Sequence, residues 1–235
     1  MAEPHAALGV VLHEYDWKQT EADVEFKRAI ELDPNYASGH QWYGAYLRNM
    51  GRFDEAIAEG KRAIELDPLL PISYVALGST YIAVHRYDDA LAQFQKAREI
   101  EPNFPVGFLD LTYELKGMYE QLIDERRKAG SLSEKVAADL KEAYRTSGER
   151  GYWQKRLELA EESARAGNRE VKPFEMARLQ LQLGNKEQAL DSLEKGVANG
   201  RGNQEPFRLR SNPILDPLRA EPRFKELLRK VGLPE

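Results

Sequence analysis

The sequence predicts an all-α fold, a right-handed α-solenoid of stacked antiparallel helix pairs. The first observation that predicts this fold is the octapeptide KRAIELDP. It occurs twice, at Lys27–Pro34 and at Lys61–Pro68, 34 residues apart. A weaker copy, QKAREIEP, follows at Gln95–Pro102 after the same interval. A fixed period of this length indicates a stacked repeat, because one helix pair alone cannot bury its apolar face.

Each repeat contains two predicted helices. In the second repeat, apolar residues at helical spacing place them at Ser38–Met50 and Asp54–Leu66. Gly51 is expected to end the first helix, and Asp54 to cap the second. The second helix should end before Pro68, because proline disfavours helical dihedrals in the residue that precedes it.

Small residues recur where the two helices of a pair should cross. Gly44 is predicted to face Ala56, and Gly78 to face Ala90, so that the helices can approach closely. Large side chains should fill the space between neighbouring pairs; these are Tyr74, Leu77, Tyr81, Phe94, Phe108, Leu111 and Leu115.

The third repeat carries a specific pattern: Tyr74-x-x-Leu77-Gly78-x-x-Tyr81, then Ala90-x-x-x-Phe94-x-x-Ala97 and finally Pro102. This pattern resembles the tetratricopeptide repeat family. Residues 37–70 are similar, with Gly60 where the family has a large residue, and residues 2–36 are similar with one extra residue in the turn.

The repeats become irregular after residue 104. We expect a degenerate fourth repeat at 105–130, an irregular helix pair at 131–168 and a repeat-like segment at 169–200. A tail with a capping helix at Pro222–Val231 should fill 201–235. Further expected features are a capping box formed by Ser131 and Glu134, and two helices at Glu134–Arg145 and Tyr152–Arg165.

The tail NPILDPLRAEPRFKELLRKVGLP extends the resemblance. Repeats followed by such a tail are similar to the C-terminal region of bacterial multidomain signalling proteins. In those proteins the region follows a winged-helix, adenylate-cyclase or Ser/Thr-kinase domain, none of which is present here. The resemblance implies a sensory or scaffolding role in bacterial signalling.

Composition excludes several classes of function. Lys and Arg number 34 against 39 Asp and Glu, a net charge of −5, which predicts no direct binding of nucleic acid. No apolar run reaches the roughly eighteen residues that span a bilayer, so no membrane insertion is expected. The absence of cysteine excludes disulfides and thiolate metal sites, and fits a cytoplasmic location.

No pattern of catalytic residues is present, and we expect neither an enzyme nor a bound metal or cofactor. His5 and His40 occupy equivalent repeat positions, which favours structural imidazoles. His13 lacks the His-Glu-x-x-His spacing of a zinc site. The run DERRKAG at 124–130 is interpreted as a solvated helix end. The tail arginines, Arg208, Arg210, Arg219 and Arg223, are interpreted as basic surface.

If family geometry applies, the first helices line a concave groove that binds a peptide or protein segment. Chaperone-binding members grip a terminal carboxylate there with Lys, Asn and Arg, which Ala45, Val75 and Ser79 do not supply. The predicted groove residues are Gln41, Arg48, Ile72, Val75, Ser79, Ile82, Val106, Leu109 and Tyr113.

An alternative remains open at this stage. The apolar strip from Ile72 to Tyr113 could be filled by the chain's own C-terminal segment instead of a partner. The protein would then be a structural or dimerising scaffold. The sequence does not identify the partner or the oligomeric state.

Overall fold

A computed structural model describes residues 1–105, 107–167, 171–198 and 205–234. Helices and connecting turns account for these residues, with no strand among them, so the predicted all-α fold of helix pairs is confirmed. The α-helices are α1 Ala2–Glu14, α2 Gln19–Leu32, α3 Ala37–Asn49, α4 Phe53–Leu66, α5 Pro71–Ala83, α6 Tyr87–Ile100, α7 Leu109–Leu115, α8 Tyr119–Lys128, α9 Glu134–Arg165, α10 Pro173–Gln182, α11 Lys186–Ala198 and α12 Pro222–Lys230. None of these helices is long and apolar enough to cross a membrane.

The chain forms two compact units. The first comprises Met1–Leu109 together with Gly200–Glu235, and therefore combines the three regular repeats with the C-terminal tail. The second comprises Asp110–Asn199, the part of the sequence in which the repeat becomes irregular.

In the first unit, the turn inside each helix pair contains one residue in the left-handed region. These residues are Trp17 (φ 57°), Gly51 (φ 75°) and His85 (φ 60°), which keep the 34-residue interval. At each turn, the N–H of the next residue bonds a carbonyl of the preceding helix, as Arg52 N–H does with Leu47 O at 2.9 Å. This hydrogen bond and the left-handed residue together end the first helix of each pair.

The predicted cap at Asp54 is wrong by two residues. Helix α4 begins at Phe53, and its N-cap residue is Arg52, which makes no capping hydrogen bond through its side chain. Asp54 lies instead in the first turn, where its negative charge is favourable beside the helix N-terminus. The predicted end before Pro68 is confirmed by the extended backbone of Asp67 (φ −140°, ψ 90°).

Glycines in the first helices allow a close approach of the second helices. A Cβ at Gly44 would lie 3.3 Å from Ala56 O, as predicted. A Cβ at Gly78, however, would overlap the ring of Phe94, so this ring and not Ala90 is its nearest neighbour. Phe94 thus packs within its own helix pair, and Phe26 occupies the same position against Gly9 in the first pair.

The second unit is built around an aromatic core. Tyr119, Tyr152 and Trp153 are buried, and the Trp153 indole N–H donates to Tyr119 Oη at 3.1 Å. Helix α9 contains the predicted break as a kink at Ser147 and Gly148, the latter with φ 60° and ψ −151°. Such dihedrals are accessible essentially to glycine alone.

The predicted capping box at Ser131 is also wrong. Ser133 is the N-cap of α9, and its hydroxyl accepts a hydrogen bond from Val136 N–H at 3.3 Å. Both serines are capping residues by type, and the helix begins after the second of them. The predicted helix start at Glu134 is confirmed.

The C-terminal tail packs along the turns of the three repeats. The Gln19 side-chain amide donates to Val231 O at 3.3 Å at the first turn. A Cβ at Gly51, in the second turn, would lie 3.3 Å from the Arg210 guanidinium. At the third turn His85 Nε2 lies 3.2 Å from an oxygen of Asp216. One segment of tail therefore contacts each of the three repeats.

Candidate binding pocket of the first unit

A cavity of about 400 Å³ lies between the first helices of the first two repeats. Two of the predicted groove residues, Gln41 and Arg48, line it. Its volume falls within the usual range of ligand pockets, about 300–1,000 Å³. The lining residues are Ala7, Val10, His13, Glu14, Phe26, Gln41, Trp42, Ala45, Tyr46, Arg48, Asn49 and Arg208.

The pocket is lined by two arginines, Arg48 and Arg208, and by one glutamate, Glu14. Arg48 comes from α3 and Arg208 from the tail, and their guanidinium carbons lie 5.9 Å and 4.9 Å from the centre of the same ring, Phe108. In the described part of the chain neither arginine belongs to an ion pair. Burial and the nearby positive charge of Arg208 lower the pKa of Arg48 to about 10. Arg48 therefore remains charged at pH 7 without an ion-pair partner among the described residues.

The wall beside Arg48 is held by buried hydrogen bonds. The side chain of Asn49 contacts two neighbours. Its Oδ1 accepts a hydrogen bond from Arg48 Nη2 at 3.3 Å, and its Nδ2 lies 3.1 Å from His13 Nε2. His13 Nδ1 lies 2.6 Å from Gln19 Oε1, and Gln19 in turn bonds Val231 in the tail. The network thus extends from the end of α12 to the pocket.

The imidazole of His13 is uncharged in this network. Burial lowers the pKa of His13 to about 4, against the opposing effect of its hydrogen bond to Gln19. In the neutral form, Nδ1–H donates to Gln19 and Nε2 accepts from the Asn49 amide. His13 therefore fixes the position of Asn49 and adds no positive charge to the pocket at pH 7.

The other predicted groove residues lie elsewhere. Ile72 remains 38% exposed, and four residues are buried inside the first unit, namely Val75, Ser79, Ile82 and Leu109. Tyr113 belongs to the second unit and packs against its aromatic core. Val106 lies outside the described residues. The structure therefore leaves much less of the apolar strip exposed than the sequence indicated, and a binding role for these residues stays a prediction.

The histidines at equivalent repeat positions form equivalent contacts. His5 Nδ1 lies 2.6 Å from Glu25 Oε2, and His40 Nδ1 lies 2.5 Å from Glu59 Oε2. Each pair joins the first helix of a repeat to the second helix of the same repeat, which is a structural role. Among the described residues, no group of three or more His, Cys, Asp or Glu is placed to hold a metal ion.

Sequence reasoning underestimated Arg208 and missed the cavity around it. Arg208 was assigned to basic surface together with the other tail arginines, but it lines the pocket. Trp42 and Asn49 also line it, each one residue after a predicted groove residue on α3. Ala45 follows Trp42 by three residues and precedes Asn49 by four, and this helical spacing was the available signal. The sequence held no comparable signal for the distant tail residue Arg208.

Comparison with known proteins supports the repeat assignment. A tetratricopeptide repeat family model matches residues 25–58, and a second one matches residues 72–104. No curated protein matches the chain.

Among solved structures, 41 chains match. One of these is the crystal structure of a tetratricopeptide repeat protein from Parabacteroides merdae ATCC 43184. It aligns with a TM-score of 0.63 and 15% identity, over 98% of this chain and 84% of that one. At this identity the likeness concerns the fold. Together with the two family matches and the helix pairs described above, it supports tetratricopeptide repeats as the fold of this chain.

Proposed function

We propose that this protein is a non-enzymatic binding module that holds a segment of another protein in the pocket between α1 and α3. Tetratricopeptide repeats generally mediate interactions between proteins. The sequence adds a setting, the sensory or scaffolding part of a bacterial signalling protein in the cytoplasm. That setting, and the expectation that no nucleic acid binds directly, stay predictions from the sequence.

One observation supports the pocket as the site: its two arginines have no carboxylate partner in the described part of the chain. Two like charges near one ring, Phe108, repel each other, and burial of Arg48 removes some of the water that would screen them. An acidic group of a partner would relieve this repulsion and accept charge-assisted hydrogen bonds.

The rest of the pocket suits the side chains next to such an acidic group. Val10, Ala45 and Trp42 offer apolar and aromatic contact, and Gln41 offers an amide donor and acceptor. The segment we expect therefore carries Asp or Glu adjacent to an aliphatic or aromatic residue. A basic segment would be repelled.

Selection from a library of random peptides tests this function. We expect the selected peptides to contain an acidic residue beside an apolar one, and Arg48→Gln to weaken their binding about tenfold or more, because a charge-assisted hydrogen bond is lost. Arg28→Gln, on the exposed side of α2, is the matched control and should bind normally. Selection of basic peptides, or equal binding by both variants, would contradict the proposal.

The structural scaffold remains a second candidate, because the chain covers much of its own apolar strip. Val75, Ile82 and Leu109 are buried, and the tail contacts the turns of all three repeats. If no peptide is selected and light scattering shows a stable oligomer, the structural scaffold becomes the better supported function. Light scattering of the full chain over a range of concentrations provides that measurement.

A further inference from the structure

The second unit contains a cavity of about 440 Å³ that the repeat fold does not explain. Three arginines from three different helices line it: Arg126 of α8, Arg156 of α9 and Arg178 of α10. In the sequence, Arg126 belongs to the run DERRKAG, for which we expected a solvated helix end. That expectation is wrong for Arg126, whose side chain is only 16% exposed.

The carboxylates of this unit neutralise the three arginines unequally. Arg126 Nε donates to Asp110 Oδ2 at 2.6 Å, a close ion pair. Arg178 Nη2 lies 3.5 Å from Glu114 Oε1, and Arg126 Nη2 lies 3.9 Å from the same oxygen. Glu114 is 1% exposed, and neither of its oxygens has a hydrogen-bond donor among the described residues. It lies behind the cavity wall and not on it.

Arg156 is the arginine with the weakest acidic partner. Its Nη1 donates to the Tyr152 hydroxyl at 3.0 Å, and its Nη2 lies 3.9 Å from Glu175 Oε1, beyond hydrogen-bond distance. Burial lowers the pKa of Arg156, and the positive charges of Arg126 and Arg178 contribute to the shift. Arg178 Nε is likewise buried without an acceptor in the described part of the chain. Arg156 thus presents an unused N–H donor at the cavity, and Arg178, which lines the same cavity, adds positive charge and one unsatisfied N–H below the surface.

One part of the cavity wall is apolar and is formed by Leu132, Val136, Leu140, Leu159, Ala160 and Val171. The three arginines share the rest of the wall with Ser131, Ser163 and the carboxylates of Asp110 and Glu175. Five of the apolar residues, at positions 132, 136, 159, 160 and 171, keep partial exposure, so they offer apolar surface toward the cavity. A ligand that suits both parts of the wall has an anionic head and a short hydrocarbon body.

The geometry points to a binding site for an organic carboxylate, with its carboxylate on Arg156 and Arg178 and its hydrocarbon body against Leu132, Val136 and Leu159. Arginine suits this role because its planar guanidinium pairs with carboxylate oxygens through two parallel hydrogen bonds. The carboxylate could be that of a small organic acid or the terminal carboxylate of a peptide. This inference does not depend on the pocket of the first unit.

Titration calorimetry of the full chain with sodium octanoate tests the site, with octanol as the neutral ligand of the same length. We expect one octanoate per chain in the second unit, and binding of octanol weaker by about tenfold or more. Arg156→Gln and Arg178→Gln should each weaken octanoate binding by about tenfold or more. Arg150→Gln, at an exposed position on the same helix as Arg156, should not change it.

Acetyl-Ala-Leu-Leu as the free acid and as the amide distinguishes the two sources of carboxylate. Octanoate binding supports the small acid, and binding of the free peptide acid alone supports a peptide terminus. Equal binding of octanoate and octanol, or of both peptide forms, would overturn the inference, as would no binding by any of them. If the arginine variants do not fold, hydrogen exchange of the unmodified protein locates the octanoate site. Octanoate should slow exchange in Glu134–Arg165 and Pro173–Gln182 and leave exchange in Ala37–Asn49 unchanged.

Discussion

The two units handle buried charge in opposite ways. In the first unit, Arg48 and Arg208 lie near the same phenylalanine ring with no ion-pair partner among the described residues. The largest fully buried side chains of this unit, such as Phe26, Leu47 and Phe94, are apolar. In the second unit, Glu114 is buried between Arg126 and Arg178, so charged groups belong to the packing itself.

This difference follows from the regularity of the repeats. The first and third repeats place the same small and aromatic residues together inside their helix pairs, as Gly9 with Phe26 and Gly78 with Phe94 show. Their stability then depends on apolar packing, and charges can be placed in a pocket for binding. The irregular unit has a contact of this kind at Gly196 and Phe174, but it also buries Glu114 beside Arg126 and Arg178.

The largest effect should come from the apolar packing of the first unit. Phe94→Ala should lower the free energy of unfolding by about 3–5 kcal/mol, because a fully buried ring is replaced by a cavity. Urea unfolding, with hydrogen exchange to assign the loss to the first unit, measures this.

Gly60→Ala is the contrasting variant at the equivalent position one repeat earlier. Alanine is favoured over glycine inside a helix by about 0.5–1 kcal/mol. The new Cβ would lie only 3.2 Å from Leu77 Cδ1, which offsets part of that gain. We expect a change below about 1 kcal/mol; a loss at Gly60 comparable to that at Phe94 would mean that the repeat register is misassigned.

The charged packing of the second unit should respond to removal of Glu114. Glu114→Ala leaves Arg126 and Arg178 without their shared carboxylate, and should cost about 3 kcal/mol, at the low end for a buried pair because both arginines keep some solvent contact. Glu120→Ala, at an exposed position of α8, should change stability by less than about 0.5 kcal/mol. An equally small loss for Glu114 would remove the contrast between the units.

Two histidines of the first unit should make its stability depend on pH in different ranges. Burial lowers the pKa of His13 from 6.5 to about 4, so the unfolded chain binds the proton more readily, and stability falls as pH falls from 6.5 to 4. This loss amounts to about 3 kcal/mol at most, at 1.36 kcal/mol per pKa unit.

The hydrogen bond to Glu59 raises the pKa of His40, so its contribution is complete below pH 6.5 and is lost as pH rises through the raised pKa. Thermal unfolding between pH 4 and pH 8 tests both effects. His13→Gln should flatten the acidic side of the profile, and His40→Gln the side above pH 6.5. An unchanged acidic slope in His13→Gln would contradict the buried neutral imidazole.

The smallest effect on stability is expected at the pocket of the first unit. Arg48→Gln removes a half-buried charge that Arg208 repels. The free energy of unfolding should therefore be unchanged or higher by up to about 1 kcal/mol. The same variant should lose peptide binding. A marked destabilisation, measured by thermal shift, would show that Arg48 has a structural role and would make the two units alike.

The sequence predicted the elements best where they repeat. The ends of α3 and α4, the break inside α9 and the helix at the C-terminus all followed from spacing, glycine and proline. The errors concern single residues. Asp54 and Ser131 were assigned as caps because of their type, and a cap depends on where the chain turns by one or two residues.

The sequence by itself determined the period and the helix pairs, because helical spacing and turn residues are local properties of the chain. Only the tertiary structure decided which charges are buried and which meet. Arg208 reaches the pocket from a tail about 160 residues beyond Arg48, as the numbering shows. Arg126, Arg156 and Arg178 converge from three helices. Such convergence depends on how distant segments pack, and residue spacing within one helix does not encode it.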